Sequence, residues 1–333
     1  MKGKIRFLGL VMVLVLFVAV FLVSALSWAQ KVKPPTPPPT APNPAIVYTA
    51  WYGSPDHKDL MLVNADGSNK RVLVSKKGVH NNWPDWSPDG KQLVFTTDES
   101  GPPTIDSINV DGTGLKRIVE LNSWGPVAWS PVPLRDGQFK IAFADRARLP
   151  DGSLREDNDL FLVNLDGTGI QRLTDTPNVN ESPFGGYCGI TWSPDANYIA
   201  AAAYDDVVIY RIDYDGIKFT ATSLGGIIGT LGIEIMEIDW ANTQNKLAIC
   251  ASWYDLWTVD VFNPANIFRL TNTPKIYEHG PSWSPDDSQI VFVNGPGTAG
   301  GISVMNVDGT GARQIVTPQR GVQLEGPQWR RNL

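Results

Sequence analysis

Pro84-Asp85-Trp86-Ser87-Pro88-Asp89-Gly90 carries the reading of the fold. Its indole closes a short stretch, Pro88 fixes φ and Asp89 is placed to accept nearby backbone N–H groups, so the heptad reads as a strand running straight into a tight turn. A strand sequence, Leu93-Val94-Phe95, follows at once. The pattern then returns. Trp129, Trp192, Trp240, Trp283 and Trp329 close similar stretches, with Ser193-Pro194-Asp195 and Ser284-Pro285-Asp286 as further turns and Ser130-Pro131 as a partial copy. The spacings between successive marker indoles are 43, 63, 48, 43 and 46 residues, which suit four-stranded units and are too long for tetratricopeptide or ankyrin repeats.

The order within each unit is constant. After the turn comes an apolar strand, as in Ile141-Ala142-Phe143, Ile199-Ala200-Ala201, Leu247-Ala248-Ile249 and Ile290-Val291-Phe292. A loop, a third strand, an Asp-Gly pair and a fourth strand follow; Asp-Gly stands at 66, 111, 166, 215 and 308, a strong signal for short hairpins, and the fifth unit uses Phe262-Asn263-Pro264 instead. The two ends complement each other. Ala45-Ile46-Val47-Tyr48-Thr49 is a second-strand sequence with no Trp strand before it, and Glu325-Gly326-Pro327-Gln328-Trp329 is an inner strand with no second strand after it. Joined, they complete one blade and close a ring, leaving only short outer edges. The expectation is an all-β, six-bladed β-propeller of four-stranded blades over residues 44–333.

Pro84-Asp85-Trp86-Ser87-Pro88-Asp89-Gly90, Asn164-Leu165-Asp166-Gly167-Thr168 and Arg172-Leu173-Thr174 together resemble the TolB-type, WD-like propeller repeat. The resemblance covers residues 44–333 and implies export and docking on envelope partners, although the α/β domain that precedes the blades in the family's type member is not seen here. Related repeats occur in oligogalacturonate lyases and in the propellers of prolyl oligopeptidase-type proteases, so the fold alone does not assign an activity. No G-x-S-x-G elbow is present to support a hydrolase.

Composition narrows the partners. The chain has 333 residues, 42% hydrophobic and 19% charged, with 31 Gly, 26 Pro and 12 Trp, the mixture of a β-rich globular protein. Its net charge of −6 opposes the counterion release on which nucleic-acid binding depends. Residues 1–29 begin with Lys2, Lys4 and Arg6, run apolar from Phe7 to Val23 and end in Ser27-Trp28-Ala29, which reads as a signal peptide or, uncleaved, an N-terminal membrane anchor. Residues 30–43 are a proline-rich spacer. The expected location is periplasmic or extracellular, with a membrane tether if the N-terminal segment stays uncleaved.

Strand direction alternates within a blade, so loops after the second and fourth strands share one face. Those segments are long and irregular, such as Thr97 to Asp106, Ala144 to Asp159 and Ser223 to Gly232, and irregular loops on a rigid scaffold are where binding residues collect. Counting back from the marker indoles puts His80, Asn81, Trp124, Tyr187, Glu278, His279 and Glu325 around the channel mouth as partner- or ligand-binding candidates. Cys188 and Cys250, the two cysteines, fall on the same face in adjacent blades and are a candidate disulfide. The functional expectation is a monomeric, non-catalytic binding propeller for protein or cell-envelope partners, without cofactor or metal. The alternative is a lyase-like enzyme on uronate-containing oligosaccharides, with His57, His80 and His279 as metal or base residues.

Overall fold

A computed structural model describes residues 45–53, 56–175, 189–203, 206–229, 234–251, 255–296 and 300–331. Among the described residues, twenty-four strands form six four-stranded antiparallel sheets, the blades of a propeller. In blade 2 the chain runs outward through Asn81–Trp86, Gln92–Thr97, Thr104–Asn109 and Lys116–Glu120. Blades 3 to 6 repeat this order with inner strands Val127–Trp129, Gly189–Trp192, Ile235–Trp240 and Tyr277–Trp283. Blade 1 combines both ends of the chain. Its inner strand Val322–Trp329 pairs with Ile46–Gly53 in a register that sets Ile46 opposite Trp329 and Thr49 opposite Glu325, so the ring closes as the sequence implies.

The second strands explain why the sequence shows apolar runs there and not alternation. Each is covered on both faces, because neighbouring blades pack against either side. In blade 4, Ile199, Ala201 and Ala203 belong to the core shared with blade 3, while Ala200 and Ala202 belong to the core shared with blade 5. Six such cores exist, one per junction between blades, and each holds one marker indole. The six Trp residues are at most 5% exposed.

One hydrogen-bonding rule holds at every junction. The marker Trp donates to the residue that immediately precedes the marker Trp of the blade before it. Four junctions use a side-chain acceptor for the backbone N–H: Trp129 to Asp85 Oδ2 (2.7 Å), Trp240 to Thr191 Oγ1 (3.2 Å), Trp283 to Asp239 Oδ2 (2.9 Å) and Trp329 to Ser282 Oγ (3.0 Å). Where that preceding residue is Gln328 or Ala128, the indole N–H reaches its carbonyl instead, from Trp86 (3.0 Å) and Trp192 (3.2 Å).

Two expectations are refined. The Asp-Gly pairs do lie between third and fourth strands, but within wider loops: Asn64 N–H donates to the Ser68 carbonyl while Asp66 accepts the Ser68 N–H. Much of the irregular-loop sequence is paired strand. Lys140–Arg148 and Leu154–Asn164 continue as a hairpin capped by Asp151 and Gly152, an Asp-Gly pair whose signal was in the sequence.

Gly309 has φ +82°, and a Cβ there would stand 2.5 Å from the Leu270 carbonyl oxygen of the preceding blade, whereas Gly112, at φ +87°, faces open space. Gly112→Ala is therefore expected to cost only the left-handed backbone penalty, about 1–2 kcal/mol, and Gly309→Ala clearly more, in urea unfolding of the two variants. Ser282→Ala removes the acceptor at the closing junction and leaves a buried N–H on Trp329, with an expected loss of about 1–3 kcal/mol in the same measurement.

Candidate functional site

The inner strands of all six blades surround a central cavity of about 1030 Å³. These strands start at the irregular face and end at the marker indoles, so residues four to six positions before each Trp stand near one mouth and those just before the Trp stand near the other end. At that far end Arg331 lines both the main cavity and a smaller one of about 250 Å³ beyond it. Its guanidinium lies 3.9 Å from Asp239, whose carboxyl burial pushes up to about 6 against the opposing charge of Arg331. Burial raises Asp85 in the same way.

Four expected site residues line the cavity: His80, Trp124, His279 and Glu325. His80 is clamped. Its backbone N–H donates to Asp98 Oδ1 (2.7 Å), its Nδ1 lies 2.9 Å from Asp98 Oδ2, and its Nε2 lies 3.3 Å from Asp56. His279 Nδ1 lies 3.3 Å from Glu237 Oε2, and Glu237 also accepts the Gly280 N–H. Desolvation works against the charged His279, and the adjacent carboxylate outweighs it, so the imidazole is held above its ordinary pKa and Glu237 below its own. Glu325 pairs with Lys58 Nζ at 2.7 Å. Trp124 meets Trp83 with ring centroids 6.2 Å apart and planes at 55°.

The remaining expected residues stand elsewhere. Asn81 is buried and donates to the Lys58 carbonyl (2.8 Å), so it fastens the start of the inner strand next to His80 and does not face the cavity. Glu278 points away because its neighbour His279 points in, the two-residue period of a strand; burial raises its carboxyl. Tyr187 and Cys188 lie outside the described residues; Cys250 Sγ is 3.2 Å from the Glu278 carbonyl. His57 stacks on Tyr52 at 4.6 Å and is not a cavity residue, so the three histidines of the lyase alternative do not converge. Among the described residues no group of three or more His, Cys, Asp or Glu is arranged to hold a metal ion.

Sequence reasoning missed Trp83, Lys58, Asp98, Glu237 and Arg331. For Trp83 a signal existed. Three residues before the marker indole and followed by proline, blades 6 and 1 carry Gly280 and Gly326, and blade 2 carries Trp83 at the same place. Lys58 and Asp98 come from outside the inner strands, and counting back from Trp86 and Trp329 could not reach them.

No family model matches the chain. An uncharacterized protein of Agrobacterium fabrum is 28% identical over 170 residues, 46% of this chain and 54% of that protein. The Tol-Pal system protein TolB of Anaeromyxobacter dehalogenans is 29% identical over 126 residues, 38% of this chain and 26% of its own length. The matches thus span about half of the first relative and a quarter of the second. Among solved structures, TolB from Acinetobacter baumannii superposes with a TM-score of 0.62 at 20% identity, covering 86% of this chain and 66% of that one. The chain is a TolB-like six-bladed propeller in fold.

The hydrogen bond to Asp98 is the largest cause that raises the pKa of His80; desolvation opposes it and Asp56 adds to it. The folded protein therefore keeps this proton to higher pH than the ordinary value of 6.5. The paired imidazolium stabilises the fold fully below that value, and the contribution is lost as pH rises through the folded-state pKa. An NMR titration is expected to place the His80 midpoint above 6.5, and Asp98→Asn to move it down.

Proposed function

We propose that the protein is an exported, non-catalytic binding propeller that engages a protein or cell-envelope partner through its irregular face and the cavity mouth. The observation that carries this reading is the state of the polar groups there. His80, His279 and Lys58 each have a carboxylate partner of their own, and the cavity is wide and open, with two indoles at its edge. Groups already neutralised in pairs, beside large aromatic faces, are the makings of a recognition surface.

The compartment rests on residues 1–29, read as a leader or anchor, and on residues 30–43, read as a proline-rich spacer. The name of the Anaeromyxobacter relative, a Tol-Pal system protein, supports an envelope setting. The oligosaccharide-lyase alternative has lost its motivating constellation, because His57 stands outside the cavity.

The two faces can be tested against each other in the full chain. A photo-crosslinking residue at Pro102 or Leu149 reports the irregular face, and one at Leu115 or Ile170 reports the Asp-Gly face; all four positions are exposed. The expected result in cells is a common adduct from Pro102 and Leu149 that is absent from Leu115 and Ile170. Adducts confined to the Asp-Gly face, or none from either face, would overturn the assignment.

A further inference from the structure

Trp83 occupies a backbone position that does not suit it. Its φ is +46°, in the left-handed region that penalises every side chain, and it precedes Pro84, which steers the residue before it toward extended geometry. The bulge that creates this position recurs: pairing slips between Asn82 and Asp85 in blade 2 and between His279 and Ser282 in blade 6. In blades 6 and 1 the matching residues are Gly280, at φ +63°, and Gly326, at φ +47°. Glycine is thus the repeat's own answer to this turn. Blade 2 keeps the backbone shape and places an indole on it, and that indole is not spent on the core, because Trp83 is 38% exposed and lines the cavity. A large aromatic group held against backbone preference and left in contact with solvent marks a binding position.

Trp124 supplies the second wall. The 55° tilt between the rings makes a corner and not a flat platform, and both rings line the cavity. The charge around that corner is negative in sum. Four carboxylates stand at the mouth, Asp56, Asp98, Glu237 and Glu325, against Lys58 and the two imidazoles of His80 and His279. The total stays negative whether the imidazoles are neutral or protonated. In a recess walled by protein such a field is stronger than at an open surface. An anion would be repelled, and a neutral ring would gain contact area alone. A cation gains twice, from the field and from the negative faces of the indoles.

We infer that the mouth of the central cavity seats an organic cation, an ammonium or guanidinium group, against Trp83 and Trp124. The inference deepens the proposed binding role and rests on the mouth being part of the binding surface. The cation belongs either to a free small molecule or to a Lys or Arg side chain of a partner.

Titration of the full chain, followed by calorimetry and tryptophan fluorescence, separates these sources. The probes are choline, its uncharged isostere 3,3-dimethylbutan-1-ol, and end-blocked Gly-Arg-Gly and Gly-Gly-Gly peptides. Saturable binding is expected for choline, for the Arg peptide or for both, with the uncharged counterpart weaker by about ten-fold. Trp83→Gly is expected to weaken that binding by a similar factor while leaving the thermal midpoint unchanged or higher, since glycine fits this backbone. Choline alone points to a small-molecule cation, and the Arg peptide alone to a partner side chain. Equal binding of charged and uncharged probes, indifference to Trp83→Gly, or no binding by any probe would overturn the inference. Failure here with irregular-face crosslinks intact would leave the binding role standing, and cation binding without crosslinks would remove the macromolecular partner and leave the site.

Discussion

The structure depends on one hydrogen bond repeated six times. Each marker Trp has its indole sealed into the apolar core between two blades, and through its backbone N–H at four junctions or its indole N–H at two it donates to the residue before the preceding marker. Apolar contact alone would let adjacent blades slide along one another, because burial is non-directional. A directional hydrogen bond at the same depth in every junction removes that freedom. The rule also tolerates change. Where the acceptor side chain is missing, as at Ala128, the backbone carbonyl of the same residue takes its place and the indole N–H replaces the main-chain N–H. What is preserved is the position of the link.

That framework sets what the cavity contains. With all six inner strands held at one height, their first residues form a ring at the irregular face, and their last residues, including Asp85 and Asp239, gather beside Arg331 at the other end. Asp85 and Asp239 serve both levels. Each accepts the next blade's Trp N–H and also faces the cavity, which is why burial acts so strongly on their carboxyls. Structural linkage and cavity electrostatics are therefore carried by the same side chains, and a substitution at either residue perturbs both.

The fold was legible because a propeller writes its architecture into the chain six times. Marker indoles, Ser-Pro-Asp turns and Asp-Gly loops recur with the blade period, and the complementary ends gave closure. The site was legible in part. Counting back along inner strands found His80, Trp124, His279 and Glu325, but it could not resolve the two-residue period, so the buried Asn81 and Glu278 entered alongside their inward neighbours. Partners drawn from other strands, Lys58, Asp98 and Asp56, fall in the irregular segments but could not be singled out there, since their pairing with the mouth residues arises only when the sheets twist and pack. Trp83 shows the limit from the other side. A repeat teaches what is ordinary at each position, and the departure from glycine becomes visible only once the copies are set against one another and the backbone angle is known.

The shared construction of blade 1 has a consequence for biogenesis. Its inner strand comes from residues 322–329 and its next strand from residues 46–53, so the pairing spans almost the whole propeller sequence. Five blades can assemble from contiguous segments as the chain emerges, but the first cannot finish until residues 322–329 have left the ribosome. Until then the strand Ile46–Gly53 presents a bare edge, competent to recruit any extended segment that passes. A nascent or truncated chain is thus sticky in a way the finished ring is not, and the wait for its final strand is the interval in which a chaperone would be needed.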